Sequence, residues 1–100
     1  MYIVLLRFSD NKPQAAQYMQ GHNDWIAKGF AEGVFLVSGS LQPNQGGAVI
    51  AHGITREDLE ERLTRDPFVA ENVVTAEILE ITPAKASEQM QFLLTPEQQT

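Results

Sequence analysis

An apolar stripe with a histidine in its middle runs along residues 18–33, and no other feature of the sequence constrains the fold as strongly. Read as a helix, this segment places a set of residues on one face at three- and four-residue spacings: Tyr18, Met19, His22, Trp25, Ile26, Gly29, Phe30 and Gly33. An imidazole on a buried face needs a hydrogen-bond partner, because an unpaired polar group there costs about 1–3 kcal/mol. We therefore expect another segment to supply that partner, and Asp66 is the best candidate.

The order of the other segments is typical of an α+β fold. Apolar and β-branched runs predict strands, helical periodicity and capping residues predict helices, and these alternate as β-α-β-β-α-β. This is the ferredoxin-like order, in which a four-stranded antiparallel sheet carries two helices on one face. The predicted strands cover residues 2–8, 34–41, 48–52 and 73–81, and the predicted helices cover residues 13–32 and 55–65.

The chain is predicted to consist of one domain, residues 1–83, and a C-terminal tail, residues 84–100. A chain of 100 residues of which 43% are hydrophobic is sufficient for one small core. The tail differs in composition, because glutamines surround the apolar segment Met90-Gln91-Phe92-Leu93-Leu94. It is expected either to dock on the body or on a neighbouring subunit, or to be disordered.

Each predicted strand offers apolar side chains to both of its faces. Strict alternation directs Val4 and Leu5 to opposite faces of the first strand, and it separates Phe35 from Ser38 in the second strand. Two helices on one side of the sheet leave the other side open, and a large exposed apolar patch usually marks an interaction surface. We therefore expect a homodimer packed through its sheet faces, with a higher oligomer left open.

The charge and the residue composition exclude several classes of partner and site. A net charge of −6 argues against nucleic acid and anionic membranes as main partners, since both attract basic surfaces. No apolar run reaches the roughly 20 residues of a membrane span. The absence of cysteine excludes disulfides, zinc–thiolate sites and a cysteine nucleophile. The first residues resemble a strand and not a basic leader, so we expect a cytoplasmic protein.

As a set, several features resemble the YciI-like proteins, small members of the dimeric α+β-barrel group. These features are the element order, His22 in the first helix, Gly33-Val34-Phe35-Leu36-Val37-Ser38-Gly39 around the start of the second strand, Gly46-Gly47 in the hairpin, and Asp66-Pro67-Phe68 after the second helix. The resemblance covers residues 1 to about 83 and leaves the tail outside.

The resemblance implies a dimer with stacked sheets and a histidine–aspartate pair facing a pocket in each subunit. His22 and Asp66 occupy the positions of that pair. Many members have no assigned reaction, and one branch is associated with removing chloride from a chlorinated, hydroxylated aromatic ring. Ser40 stands where relatives often carry proline, which changes the expected pocket wall, so the substrate of that branch does not transfer to this chain.

Two interpretations of His22 and Asp66 remain open from the sequence. In the first, they are a general acid–base pair: the carboxylate holds one ring nitrogen, and the other meets a small aromatic or anionic substrate in a lyase- or hydrolase-type reaction. In the second, His22 is a satisfied core histidine and Asp66 caps a helical turn before Pro67, within a non-catalytic binding or structural dimer.

Further residues are candidates for substrate contact, each with a structural alternative. Ser38 and Phe68 are predicted to line a pocket. Trp25 is a third candidate, although aromatic residues at helical spacing more often belong to the core, as expected for Phe30. Arg7 is predicted either to hold an anionic substrate or to form a salt bridge at the rim of the site.

No metal and no cofactor are expected. The sequence contains no His-x-x-x-His or Glu-x-x-His spacing of the kind that metal sites on helices use. His52, the other histidine, closes the third predicted strand and is expected to face solvent.

Overall fold

Residues 1–94 are described by the computed structural model. They form strands, α-helices and two short 3₁₀ helices in one continuous order. The strands are β1 (Tyr2–Phe8), β2 (Phe35–Leu41), β3 (Gly46–Ala51) and β4 (Val74–Glu80), and the α-helices are α1 (Ala15–Ala31), α2 (Arg56–Thr64) and α3 (Pro67–Ala70). In this part of the chain, no helix combines the length and the apolar character needed to cross a membrane.

The strands form one antiparallel sheet in the order β2-β3-β1-β4, with β1 in a central position. Tyr2, Val4 and Leu6 of β1 are buried, and the residues between them are only partly buried on the opposite face. The buried set joins Trp25 of α1 and Leu59 of α2 in one core cluster, so both helices lie on the same face. The predicted ferredoxin-like α+β fold is therefore confirmed.

The predicted alternation of β2 is wrong at its start, because the strand contains a bulge. Phe35 pairs with Ala51 and Val37 pairs with Ile50, so two steps along β2 match one step along β3. The extra residue puts Phe35 on the same face as Ser38, where it is 3% exposed, and leaves Val37 on the open face, 53% exposed. One face of β2 thus offers a large ring to the core and small polar side chains further along.

The helix boundaries follow capping residues that the sequence contains. Pro13 lies in a 3₁₀ helix, Lys12–Gln14, so α1 begins at residue 15 and not at residue 13 as predicted. Gly33 adopts a left-handed φ of 75° just after α1, as expected for a helix stop. Thr55 caps α2, because its side-chain oxygen accepts a hydrogen bond of 3.1 Å from the backbone N–H of Asp58.

α1 approaches β2 most closely at Gly29. A Cβ atom at this position would lie 2.1 Å from Cδ2 of Phe35, so only a hydrogen atom fits there. Trp25 meets the edge of the same ring, with the ring centroids 5.1 Å apart and the planes at 62°. Phe30 also lies against this ring, with the centroids 6.1 Å apart, but it is 42% exposed, so its expected place in the core is wrong.

The first part of the predicted tail lies against the body of the same chain. A 3₁₀ helix spans Glu88–Leu93, and the ring of Phe92 meets His52 edge-on with the centroids 5.3 Å apart. His52 is partly buried and contacts the tail, so the expectation that it faces solvent is wrong. Residues 95–100 lie outside the described residues, and docking of the tail on a neighbouring subunit stays a prediction.

Candidate functional site

A cavity of about 270 Å³ lies between α1, α3 and the helix-covered face of the sheet, near the β2–β3 hairpin. Its lining is mostly apolar, with a few polar side chains that converge on the same space, which is the usual composition of a small-molecule site. The polar side chains are His22, Asn23, Ser38 and Ser40. The cavity therefore brings the predicted histidine together with polar groups of β2.

The hydrogen bond between His22 and Asp66 joins two helices at the wall of this cavity. His22 lies in the middle of α1, and Asp66 lies just before Pro67 at the start of α3. The distance between His22 Nδ1 and Asp66 Oδ1 is 2.8 Å, and the Asp66 side chain is fully buried. The expected partner of the histidine is therefore the one that the fold supplies.

Asp66 also caps α3. Its Oδ1 atom accepts a hydrogen bond of 3.0 Å from the backbone N–H of Phe68, as an N-cap aspartate does. Among residues 1–94, no donor reaches the other carboxylate oxygen, Oδ2. One carboxylate oxygen thus both accepts from His22 and caps α3, and its burial makes each donor important.

The His22 ring stacks on an aromatic ring in addition to forming its hydrogen bond. It stacks on the ring of Phe68 with the centroids 4.0 Å apart and the planes at 7°. The side chain is 12% exposed, and Nδ1 is the nitrogen that meets the carboxylate. A neutral imidazole whose Nδ1–H is donated to Asp66 carries its lone pair on Nε2, so this arrangement leaves Nε2 available as a proton acceptor.

Two of the four residues predicted to contact substrate line the cavity, and two do not. Ser38 and Phe68 line it. Trp25 is 7% exposed and donates its indole N–H to the backbone oxygen of Arg62 at 3.0 Å, so it belongs to the core between α1 and α2. Trp25 therefore lies apart from the His22 cavity, because residues three apart on a helix still point about 60° away from each other, and its contact with substrate stays a prediction.

Arg7 lies on the opposite face of the sheet from the cavity. It points from β1 in the same direction as Leu5, and its guanidinium forms an ion pair with Glu77 of the neighbouring strand β4. Both side chains of the pair are half exposed. The salt bridge, which was the other expectation for Arg7, is present in the single chain, and a contact with an anionic substrate stays a prediction.

Sequence reasoning missed part of the cavity wall on α1. Met19, Asn23 and Ile26 line the cavity beside His22, and Asn23 was left out because it is polar and lies outside the apolar stripe. A signal was available: Asn23 follows Met19 by four residues and precedes Ile26 by three, which is the spacing of one helix face. α1 therefore contributes two polar side chains to the cavity, His22 and Asn23, where the predicted stripe contained His22 alone.

Glycines leave room at the hairpin side of the cavity. Gly47 lines it on the same face as Leu6, whereas Gly39 lies in register with Leu5 of the open face and lines the cavity with its backbone. Gly46 has a φ of 131°, and a Cβ atom there would lie 1.9 Å from the backbone oxygen of Leu6, so this position requires glycine. The Gly46-Gly47 pair, predicted as a turn, belongs to the first residues of β3.

Metal-ligating side chains do not gather at the cavity or elsewhere in the described part of the chain. Between residues 1 and 94, no group of three or more His, Cys, Asp or Glu side chains is close enough to hold a metal ion. The absence of a metal and of a cofactor stays a prediction.

An ion pair between Glu32 and Arg62 ties the end of α1 to α2 on the outer side of the site. The Arg62 guanidinium donates a hydrogen bond of 2.5 Å to Glu32, and Arg62 is also the residue whose backbone oxygen receives the Trp25 indole. The hydrogen bond from Arg62 holds the pKa of Glu32 below its ordinary value, while partial desolvation acts in the opposite direction.

We expect this pair to make stability depend on pH in acid. A carboxylate with a lowered pKa in the folded state contributes stability above the pKa of the unfolded chain, about 4.3 for glutamate, and loses it as the pH falls through the folded value. The Tm of Glu32→Gln should therefore be lower than that of the wild type at neutral pH and converge with it as the pH falls through the lowered pKa of the folded state. Thermal unfolding between pH 3 and pH 7 tests this. A Tm difference that stays constant with pH contradicts it, and Glu61→Gln, which breaks the exposed pair with Arg65, is the matched control.

The fold and the site together define the class of this protein: a ferredoxin-like α+β domain with a ligand-sized cavity whose wall carries a hydrogen-bonded histidine and aspartate. The chain belongs to the family of the YCII-related domain, whose model matches residues 1–85. The resemblance to YciI-like proteins is therefore confirmed.

A solved structure supports the fold assignment. The chain is similar to 5-chloro-2-hydroxyhydroquinone dehydrochlorinase from Burkholderia phenoliruptrix AC1100, in complex with 2,5-dihydroxybenzoquinone, with a TM-score of 0.65 and 11% sequence identity. The likeness covers 81% of this chain and 93% of that one. At this identity it shows the shared fold alone. A comparison with curated proteins gives no match.

Proposed function

We propose that this protein is a small-molecule enzyme in which His22 transfers a proton through Nε2 while Asp66 holds Nδ1. The observation that carries the proposal is the hydrogen bond of 2.8 Å between His22 Nδ1 and the buried carboxylate of Asp66, at the wall of a cavity that His22 itself lines. Asp66 fixes the tautomer and offers a compensating negative charge when the ring gains a proton. The substrate then meets a base that is oriented before it binds.

The proposed substrate class is a single hydroxylated or quinoid six-membered ring. An engineered cavity of about 150 Å³ holds benzene, so about 270 Å³ is sufficient for one substituted ring. The parallel rings of His22 and Phe68 form a flat wall, and the hydroxyl groups of Ser38 and Ser40 offer donors and acceptors to ring oxygens. The dehydrochlorinase with the same fold is in complex with 2,5-dihydroxybenzoquinone, which supports this size and chemistry.

The proposed reaction type is an elimination. Removal of hydrogen chloride from a ring takes away one proton and one chloride, so a single base can serve it and no redox partner is required. The name of the structurally similar dehydrochlorinase supports this choice over hydrolysis. The cavity wall, which includes Ser40, is that of this chain, so the support extends to the reaction type and not to the substrate.

The alternative function is a non-catalytic binding or structural dimer in which the pair braces the fold. The observation that favours it is the second role of Asp66, since the carboxylate that holds His22 also caps α3. Under this alternative a ring compound still binds in the cavity, but no bond is broken there.

The test of the proposal uses the two histidines of the chain as internal reporters. Titration with 2,5-dihydroxybenzoquinone, followed by NMR of the imidazole groups, is expected to shift the signals of His22, which lines the cavity, and not those of His52, which lies against Phe92. 5-Chloro-2-hydroxyhydroquinone serves as a test compound of the proposed ring class and not as the assigned substrate, and its incubation with the protein is expected to release chloride. Binding at His22 without chloride release supports the binding alternative, and shifts confined to His52 contradict both.

We also propose that the open face of the sheet is the interface of a homodimer. Apolar side chains of different strands meet there, among them Leu5, Val37 and Leu79, and the last two are 53% and 42% exposed in the single chain. The helices cover the opposite face, so Val37 and Leu79 are exposed on the face that carries no helix. The expected cytoplasmic location stays a prediction.

Val37→Asp is expected to halve the molecular mass measured by light scattering after size-exclusion chromatography, because an unpaired charge in an apolar interface costs several kcal/mol. Phe30→Asp is the matched control, since Phe30 is a similarly exposed apolar residue that lies on α1, on the other side of the sheet. A Val37→Asp protein with the mass of the wild type would contradict the proposed interface.

A further inference from the structure

We infer that Gly21 and Pro67 are positioning residues for the proposed acid–base pair, because the contact between them sets the separation of His22 and Asp66. Gly21 directly precedes His22 on α1, and Pro67 directly follows Asp66 at the start of α3. The inference rests on the proposed function, since it assigns two further residues to the same site.

The contact between the two residues leaves no room for a side chain. A Cβ atom on Gly21 would lie 2.9 Å from Cγ of Pro67, closer than real Cβ contacts come. The atom it would meet belongs to a proline ring, which cannot swing away as a long flexible side chain can. α1 and α3 therefore approach to a distance that glycine permits and alanine does not.

The residues around Pro67 are held together within one helical turn. Asp66 accepts the backbone N–H of Phe68, so the carboxylate, the proline ring and the Phe68 ring are linked within one helical turn. A push on Pro67 from α1 therefore displaces both groups that hold His22, the carboxylate at 2.8 Å from Nδ1 and the Phe68 ring at 4.0 Å from the imidazole.

The hydrogen bond is sensitive to a displacement of this size. Relief of the overlap requires about 0.5 Å of separation between the helices, and N–H···O hydrogen bonds in proteins end near about 3.2 Å. Addition of such a shift to the present 2.8 Å takes the Nδ1–Oδ1 distance to that limit. A single methyl group at position 21 is thus sufficient to loosen the pair, although it touches neither member of it.

The experiment compares Gly21→Ala, Pro67→Ala and the double variant Gly21→Ala/Pro67→Ala with the wild type. The primary measurement is the ¹H–¹⁵N signal of the His22 Nδ1–H group, which reports its hydrogen bond without any substrate. We expect Gly21→Ala to shift or broaden this signal and to lower kcat about tenfold or more with KM little changed, as a small misplacement of a catalytic group does. The double variant is expected to recover both, because the alanine methyl takes the space of the deleted proline Cγ.

Pro67→Ala alone is the matched control, since it removes the same ring atoms without a push from α1. A wild-type Nδ1–H signal in Gly21→Ala would overturn the inference, and so would a double variant that fails to recover it or fails to fold. Suppose that the wild type shows the Nδ1–H signal, that Gly21→Ala loses it and that the double variant recovers it, but that no variant releases chloride. The positioning role then holds and the proposed elimination fails. The two proposals are therefore separable.

Discussion

Replacement of His22 with asparagine is expected to lower the rate of chloride release from 5-chloro-2-hydroxyhydroquinone by about 10²–10⁴-fold, the range typical for loss of a general acid–base group. The asparagine amide nitrogen lies near the place of Nδ1, so it keeps a donor for the buried Asp66 and removes the ring nitrogen Nε2. The free energy of unfolding is therefore expected to fall by only about 1 kcal/mol, mainly from lost stacking on Phe68. Turnover and thermal unfolding of the same preparation check both parts.

Two companion variants separate catalysis from bracing. His52→Asn is the matched control and is expected to keep its turnover, since His52 lies against the tail and not at the cavity. Asp66→Asn is expected to lose turnover and also about 1–3 kcal/mol of stability, because a buried group with two hydrogen-bond donors is altered. If His22→Asn keeps full turnover, or destabilises the protein as much as Asp66→Asn does, the pair braces the fold and the proposed mechanism fails.

Replacement of Gly29 with alanine is expected to lower the free energy of unfolding by about 2 kcal/mol, even though alanine favours helix over glycine by about 1 kcal/mol. The new methyl group would overlap the buried Phe35 ring, with its Cβ 2.1 Å from Cδ2, so either the ring leaves its position or α1 moves away from β2. For a domain of this size the loss corresponds to a Tm lower by about 10 °C, which calorimetry measures directly.

The control and the rescue of this prediction both come from the same structure. Gly39→Ala places its Cβ in open space within the described part of the chain, so we expect its Tm to stay close to that of the wild type. Phe35→Leu in the Gly29→Ala background removes the ring atoms that the methyl group meets and should recover part of the loss. A Gly29→Ala protein with an unchanged Tm would show that α1 does not press on Phe35 as described.

Local signals in the sequence predicted most of the fold. Helix caps and stops act over a few residues, so Thr55 and Gly33 mark real boundaries. Apolar alternation predicted β1 correctly because a flat, paired strand keeps its period of two. The partner of His22 was also predictable, since few buried carboxylates are available to a histidine on an apolar face and Asp66 stands before a proline that starts a helix.

The errors arose where tertiary contacts decide the direction of a side chain. A bulge in β2 exchanges the faces of Phe35 and the residues after it, and one extra residue in a strand has no reliable sequence signature. Trp25 and His22 share a stripe on α1, yet the first turns toward Arg62 and the second toward the cavity. Arg7, predicted either to hold an anionic substrate or to form a salt bridge, lies on the open face and pairs there with Glu77.

By itself, the sequence determined the order of the elements, their caps and the residue types that could form a pair, because these depend on interactions within a few residues of one another. Only the tertiary structure decided how close the helices come and what faces the cavity. Those outcomes depend on contacts between distant segments, such as Gly29 against Phe35 and Gly21 against Pro67, where the absence of a side chain sets a distance. Periodicity marks which face of an element is apolar, but it carries no information on how near the next element lies.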